Sequence, residues 1–158
     1  MSTASKVRSP ADALAWRQQA GKPVVFTNGV FDLLHLGHVT LLEQAAQIGA
    51  SLIVAVNADI SVRALGKGAD RPIVPDRDRA SVVAALGCVD CVVIFEEPTP
   101  ITLIELLRPD ILVKGGDYRP DQIVGADVVL GYGGRIEIIP FLPDRSTTRT
   151  LERLRAPS

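Results

Sequence analysis

Short runs of uninterrupted apolar residues constrain the fold of this chain more than any other feature. Residues 52–56 are apolar at every position, which is typical of a strand buried on both faces of a parallel sheet. Residues 24–27 and 89–95 are mainly apolar, with Thr27 and Asp90 as the exceptions, and a stretch with helical spacing at residues 39–48 lies between two of these runs. This alternation predicts an α/β fold, a doubly wound parallel sheet of about five strands with helices on both faces.

The remaining predicted elements complete this alternation. Further strands are predicted at residues 111–113 and 135–139, and further helices at residues 11–20, 59–65, 76–86, 99–107, 126–131 and 146–155. A length of 158 residues predicts one domain, with a core at about residues 23–154 and loose tails at residues 1–9 and 156–158. In such a sheet, ligands bind beyond the carboxyl ends of the strands, where the strand order reverses.

Charge and hydropathy exclude two classes of partner. The chain has 17 basic and 18 acidic residues, so it lacks the basic excess of most nucleic-acid-binding proteins. No apolar run approaches the ~20 residues of a membrane-spanning helix, and the polar residues 1–10 lack the apolar core of a secretion signal. We therefore expect no nucleic-acid or membrane partner and a cytoplasmic location.

The two cysteines, Cys88 and Cys91, have two interpretations. Their spacing allows a redox pair or half of a zinc site, which His35 and His38 would complete. The favoured interpretation is that they enter a buried strand, where a free thiol behaves as a small hydrophobic group. The sequence also shows no dedicated cluster of carboxylates, so no protein metal ligand is predicted.

The segment that follows the first strand contains both histidines of the chain, His35 and His38, with Gly37 between them. The amino end of the next helix attracts anions, and Gly37 lets backbone and ligand approach closely. Histidines three apart share one face of a helical turn, from which they donate hydrogen bonds to phosphate, and phosphate favours their protonated forms. Neither GxGxxG nor GxxxxGK[ST] is present at this turn. The segment predicts a polyphosphate site.

These residues also resemble a known family. GVFDLLHLGH resembles the HxGH signature of the Rossmann-like nucleotidyltransferase superfamily, and Ser146-Thr147-Thr148, also a good helix N-cap, resembles its Ser/Thr-rich turn. The segments RPI from Arg71, LGCVD from Leu86, EEPTP from Glu96 and PDILVKGGDY from Pro109 resemble the adenylyltransferase domain of bacterial ADP-heptose synthases. The resemblance covers roughly residues 23–154, and the chain is too short for the sugar kinase often fused to this domain, so the stand-alone form is expected.

The resemblance implies a reaction. AMP would pass from ATP to D-glycero-β-D-manno-heptose 1-phosphate, giving ADP-heptose and pyrophosphate for lipopolysaccharide core synthesis, with Mg²⁺ accompanying the ATP. Relatives often pair, so a homodimer is expected. Two alternatives stay open: another HxGH nucleotidyltransferase, such as a glycerol-phosphate cytidylyltransferase or a phosphopantetheine adenylyltransferase, and a nucleotide-binding module without catalytic activity.

The residue roles combine this resemblance with the local chemistry. The predicted catalytic residues are His35, His38 and Lys67. The predicted nucleotide-binding residues are Val30, Phe31, Gly37, Lys114, Gly115, Arg145, Ser146, Thr147 and Thr148. The predicted substrate-binding residues are Asp32, Arg79, Asp117 and Tyr118. Each of three residues has a plainer alternative: Lys67 as a solvated loop lysine, Asp32 as a brace for the turn through backbone N–H groups, and Arg79 as the partner of an acid. The chain lacks the arginine of the RTEGIST-like stretch in cytidylyltransferases, which fits an adenine-specific relative.

Overall fold

Six parallel strands form one sheet in the computed structural model, which describes residues 2–66, 70–116 and 118–140 together with Leu151 and Leu154. The strands are β1 (Val7–Arg8), β2 (Val24–Gly29), β3 (Ser51–Asn57), β4 (Cys91–Phe95), β5 (Ile111–Gly115) and β6 (Arg135–Ile139). The helices are α1 (Pro10–Gln19), α2 (Leu36–Ile48), α3 (Asp59–Ala64), α4 (Asp76–Ala84), α5 (Ile101–Leu107) and α6 (Ala126–Gly131). The predicted α/β class is confirmed.

The order of the strands places a crevice beside β2. The sheet runs β1-β4-β3-β2-β5-β6, so the chain builds outward from β2 through β3 on one side and through β5 on the other. Such a reversal opens a space between the carboxyl ends of the two central strands, which is where ligands bind in sheets of this kind. Here those strands are β2 and β5.

Two apolar layers cover the sheet because side chains alternate along each strand. In β3, Leu52, Val54 and Val56 face α2 and α4, whereas Ile53 and Ala55 face α1, α5 and α6. All seven residues of β3 are buried. This two-sided burial explains why the strand reads as a continuous apolar run rather than an alternating one.

Local signals fix the ends of two helices. Ser9 caps α1 by accepting a hydrogen bond from the Asp12 N–H at 3.1 Å, and Pro10 occupies the first helical position. At the end of α2, a Cβ on Gly49 would lie 2.5 Å from both the Pro23 carbonyl oxygen and Val25 Cγ2. Gly49 is therefore needed so that α2 can pass directly into the loop beside β2.

Several predicted boundaries need correction. The sheet has six strands rather than about five, because part of the predicted loose tail, Val7–Arg8, pairs with Val92 and Val93 of β4. The histidine cap described below moves the start of α2 to Leu36, three residues earlier than predicted. β4 begins at Cys91 instead of residue 89. In the described ranges, no helix has the length and apolar character to span a membrane.

Candidate active site

The turn between β2 and α2 has an unusual backbone. Phe31 and Leu33 both have φ of 52°, a left-handed conformation that side-chain-bearing residues adopt only when their surroundings impose it. The Phe31 ring is 4% exposed and packs on Gly29, where an added Cβ would lie 3.1 Å from the ring. Its centroid is also 5.3 Å from that of the His38 ring. The buried Phe31 ring thus holds the turn against both β2 and α2.

The two histidines form a reciprocal cap on α2. His35 is the N-cap residue, and its Nδ1 accepts from the Gly37 N–H at 3.1 Å. His38 Nδ1 accepts from the His35 N–H at 3.4 Å. The rings stack with centroids 3.8 Å apart and planes 25° apart, so the prediction that they share a face is confirmed. Because each Nδ1 is an acceptor, a neutral ring carries its proton on Nε2.

His38 is neutral at pH 7 in the ligand-free protein. The pKa of His38 is lowered from 6.5 to about 4, mainly by burial and also by the charge on His35, while Asp32 partly opposes both. The sequence analysis predicts protonated histidines only when phosphate is bound, so the lowered pKa of the ligand-free protein does not test that prediction. Before a ligand arrives, His38 offers a hydrogen-bond donor rather than a positive charge.

Asp32 is buried and makes structural contacts beside the histidine turn. Its side chain is fully buried and lies 2.8 Å from Arg71 Nε. Its two carboxylate oxygens accept from the Ile73 N–H at 2.9 Å and the Val74 N–H at 3.0 Å. A carboxylate buried in this way must be compensated by such partners. These contacts agree with the alternative interpretation of Asp32, a structural role, although the backbone it holds is that of the 71–74 segment. A contact of Asp32 with substrate stays a prediction.

Arg79 has the same kind of role. Its side chain is 1% exposed, and its Nη2 donates to Asp59 Oδ1 at 2.7 Å. Its Nε donates to the Val74 carbonyl at 2.8 Å, and its Nη1 donates to the Val30 carbonyl. The guanidinium is enclosed and bound on three nitrogens by the protein, which agrees with the alternative interpretation of Arg79 as the partner of an acid. A substrate contact of Arg79 stays a prediction. Arg79 and Asp32 together tie the 71–74 segment to the histidine turn.

Lys114 lies at the crevice where the strand order reverses. It is the fourth residue of β5, and its Nζ donates to Asn28 Oδ1 of β2 at 2.7 Å. This contact confirms that Lys114 points toward the carboxyl ends of the central strands. Sequence reasoning gave Asn28 only a role in ending the strand and did not predict it as a site residue, although a polar residue that ends a buried strand beside a predicted cleft is a usable signal. Gly115 follows Lys114 as the last residue of β5.

The structure describes only some of the other predicted site residues. The Gly37 N–H is used in the histidine cap. Tyr118 follows β5 and is 46% exposed, so its side chain is accessible. The remaining six predictions lie outside the described residues and stay predictions: Lys67, Asp117, Arg145, Ser146, Thr147 and Thr148.

The cysteines and the acidic residues build no metal centre in the described part of the chain. No group of three or more His, Cys, Asp or Glu side chains there is placed to hold a metal ion. Cys91 is fully buried in β4, and burial raises its pKa to about 11, which keeps the thiol protonated. The interpretation of Cys91 as a small hydrophobic residue of a buried strand is confirmed.

Comparison with known proteins agrees with this geometry. A family model described as cytidylyltransferase-like matches residues 26–139. A D-beta-D-heptose 1-phosphate adenylyltransferase of Bordetella bronchiseptica is 56% identical over 154 residues, which cover 96% of this chain and 94% of that protein. The bifunctional protein HldE of Syntrophotalea carbinolica is 52% identical over 95% of this chain, which spans only 31% of that longer relative.

A solved structure supports the same relationship. The lipopolysaccharide core biosynthesis protein of Thermoplasma volcanium superimposes with a TM-score of 0.61 at 28% identity, over 75% of this chain and 95% of that one. The resemblance inferred from the HxGH segment is thereby confirmed. With its histidine cap at the crevice beside β2 and a family match over most of its length, the chain belongs to the cytidylyltransferase-like family.

Proposed function

We propose that this protein transfers AMP from ATP to a heptose 1-phosphate, giving ADP-heptose and pyrophosphate. The observation that carries the proposal is the stacked histidine pair at the amino end of α2, beside the crevice that Lys114 enters. The sugar substrate is taken from the name of the Bordetella relative, and the anomer from the resemblance. The product would serve lipopolysaccharide core synthesis, and the reaction would take place in the cytoplasm.

The reaction is a displacement at the α-phosphate of ATP by a sugar-phosphate oxygen, with pyrophosphate as the leaving group. The attacking oxygen is already anionic near neutral pH, so catalysis depends on positioning and on stabilising charge in the transition state. His35 and His38 donate from Nε2 to phosphate oxygens, and the amino end of α2 adds its partial positive charge. Lys114 supplies a cation from the opposite side of the crevice.

Magnesium is proposed to arrive with ATP. The described residues provide no cluster that would ligate a metal, and Asp32 already accepts from two backbone N–H groups beside Arg71. Mg²⁺ bound to a triphosphate is held largely by phosphate oxygens and water. The residues that the structure describes therefore fit no dedicated metal site, and we assign no step to the ion. A homodimer is proposed only from the behaviour of relatives.

The decisive assay is pyrophosphate release across a matrix of nucleotides and phosphorylated acceptors. We expect release with ATP and heptose 1-phosphate, and much less with CTP or with glycerol phosphate. Release only with another pair would move the protein to a different activity within the same family. Absence of release with every pair, despite saturable ATP binding, would identify a binding module without catalytic activity.

A variant separates turnover from folding. His38→Ala removes one Nε2 donor, and loss of such a donor typically lowers kcat by about 10²–10³. The matched control is Arg119→Gln, because Arg119 is 79% exposed in a surface ion pair. His38→Ala also removes a cap of α2 and two ring contacts, so it should unfold at a lower urea concentration than Arg119→Gln. Both variants are expected to be folded under the assay conditions, with turnover lost only in His38→Ala. Full activity of a folded His38→Ala protein would contradict the proposed role of the histidine pair.

A further inference from the structure

A pocket lies at the opposite edge of the sheet from the histidines. It has a volume of about 270 Å³ and is lined by residues that include Arg17, Lys22, Arg108 and Asp110. These residues flank the amino ends of β2 and β5, whereas the histidine turn follows the carboxyl end of β2. The length of β2 therefore separates this basic pocket from the candidate active site.

Positive charge predominates in the basic pocket. Three cationic side chains line it with one carboxylate, that of Asp110. Oδ2 of Asp110 already accepts from the Val24 N–H at 2.7 Å and from Arg17 Nη2 at 3.2 Å. One anion cannot neutralise three cations, so about two positive charges remain to be compensated by solvent or by a ligand.

Arg17 is held in place but not fully satisfied. It is 8% exposed, and its Nη2 also donates to the Arg108 carbonyl at 2.9 Å. Its Nε is buried and has no hydrogen-bond partner among the residues that the structure describes. Arg17 therefore contributes a fixed positive charge to the wall of the pocket, and its charge is shared with only one carboxylate, that of Asp110.

Arg108 is fixed at the pocket by its backbone and its side chain. It follows α5 with φ of 44° and ψ of 61°, a left-handed position that glycine usually occupies at the end of a helix. Its guanidinium lies over the Tyr132 ring, 4.6 Å from the centroid. The Tyr132 hydroxyl in turn donates to the Pro109 carbonyl at 2.9 Å. The chain thus holds a preorganised cation where glycine would fit the backbone better.

We propose that the basic pocket binds a small phosphate-bearing anion, with inorganic phosphate and pyrophosphate as the two candidates. Guanidinium groups match the oxygens of phosphate and carboxylate alike, but two uncompensated charges favour a doubly charged phosphate over a carboxylate. The volume of 270 Å³ lies below the usual range of pockets for drug-sized ligands, which favours these anions over a whole nucleotide. This proposal does not depend on the reaction at the histidines.

The test reads the pocket directly through the backbone amides of Gly133 and Gly134, which line it. The full chain, labelled with ¹⁵N, is titrated with inorganic phosphate and separately with pyrophosphate at constant ionic strength. We expect saturable shifts of both amide resonances with at least one anion. The anion that saturates at the lower concentration identifies the preferred ligand. Unchanged resonances with both anions would overturn the proposal.

Substitutions in the basic pocket test which cationic side chains bind the anion. Arg108→Asn removes the cation and keeps a residue that tolerates left-handed backbone. Lys22→Gln changes an exposed side chain, so little effect on stability is expected. Each is expected to weaken binding by about tenfold, the usual scale for a charge-assisted contact, and Arg119→Gln is expected to change nothing. Unaltered affinity in Lys22→Gln and in a folded Arg108→Asn protein would overturn the proposal.

A last variant separates this pocket from the active site. In His38→Ala, the Gly133 and Gly134 shifts are expected to persist with the same midpoint, because the two sites lie at opposite edges of the sheet. Loss of these shifts in His38→Ala would mean that they report phosphate bound at the histidines, and the basic pocket would then have no ligand of its own.

Discussion

Asp32→Ala is expected to destabilise the protein far more than removal of an exposed carboxylate. The Asp32 side chain is fully buried, 2.8 Å from an Arg71 side chain that is 9% exposed. It also accepts from two backbone N–H groups, those of Ile73 and Val74. Truncation leaves a buried guanidinium without its carboxylate and two donors without acceptors.

The magnitude follows from these contacts. Breaking a buried ion pair by removing one partner costs about 3–5 kcal/mol, and each buried donor left unsatisfied adds about 1–3 kcal/mol unless water replaces the carboxylate. Water can enter the space that truncation leaves, so the terms do not sum fully, and we expect a loss of about 4 kcal/mol. Since domains are stable by only ~5–15 kcal/mol, this loss is a large fraction of the total.

The assay is urea unfolding of the wild type, Asp32→Ala and a matched control, Asp121→Ala. Asp121 is 66% exposed and lies 3.3 Å from Arg119, so its loss should cost at most about 1 kcal/mol. The double variant Asp32→Ala with Arg71→Leu should recover part of the stability, because no unpaired guanidinium then remains buried. Equal losses for Asp32→Ala and Asp121→Ala would refute the reasoning.

Three further expectations concern packing, pH and the crevice. Gly49→Ala places a Cβ 2.5 Å from the Pro23 carbonyl oxygen and should cost about 1–3 kcal/mol in urea unfolding, whereas Gly87→Ala, with open space around it, should stay within ~0.5 kcal/mol. The pKa of His38 is about 4 in the folded protein and 6.5 ordinarily, so the free energy of unfolding should fall as the pH drops from 6.5 to 4. His38→Gln should remove this part of the dependence of unfolding free energy on pH. An unchanged dependence in His38→Gln would contradict a neutral His38 in the folded protein. Lys114→Gln should lower kcat/KM for the proposed reaction by about 10²–10³ with little change in the melting temperature, and wild-type kinetics would exclude a phosphate contact.

The central strands could be predicted because strands that are buried on both faces consist almost entirely of apolar residues. β3 is apolar at nearly every position since helices cover both of its faces, and the bounds of β6 agree with the prediction. β1 was missed because two residues, one of them an arginine, carry no periodic signal. Val7 and Arg8 are in a strand only because β4 offers them a free edge, which is a property of the folded sheet.

In the candidate active site, too, some features could be predicted from the sequence and others could not. The histidine pair follows from spacing alone, since residues three apart meet in a first helical turn. The roles of Asp32 and Arg79 depend on partners distant in sequence: the Asp32 carboxylate accepts from Ile73, 41 residues away, and Arg79 donates to Val30, 49 residues away. No local pattern identifies such partners. A charged residue inside an apolar stretch signals only that some compensation must exist.

The protonation state of His38 depends on whether phosphate is bound. In the empty site the pKa of His38 is lowered to about 4, mainly by burial, which favours the neutral ring at pH 7, whereas bound phosphate favours the charged form. If phosphate raises the pKa of His38, then protonated His38 must raise the affinity for phosphate by the same factor, because linkage between binding equilibria is reciprocal. A site that is neutral when empty pays no penalty for holding a buried cation. It acquires charge only when an anion is present to compensate it, and the transition state, with its added negative charge, benefits most from this response.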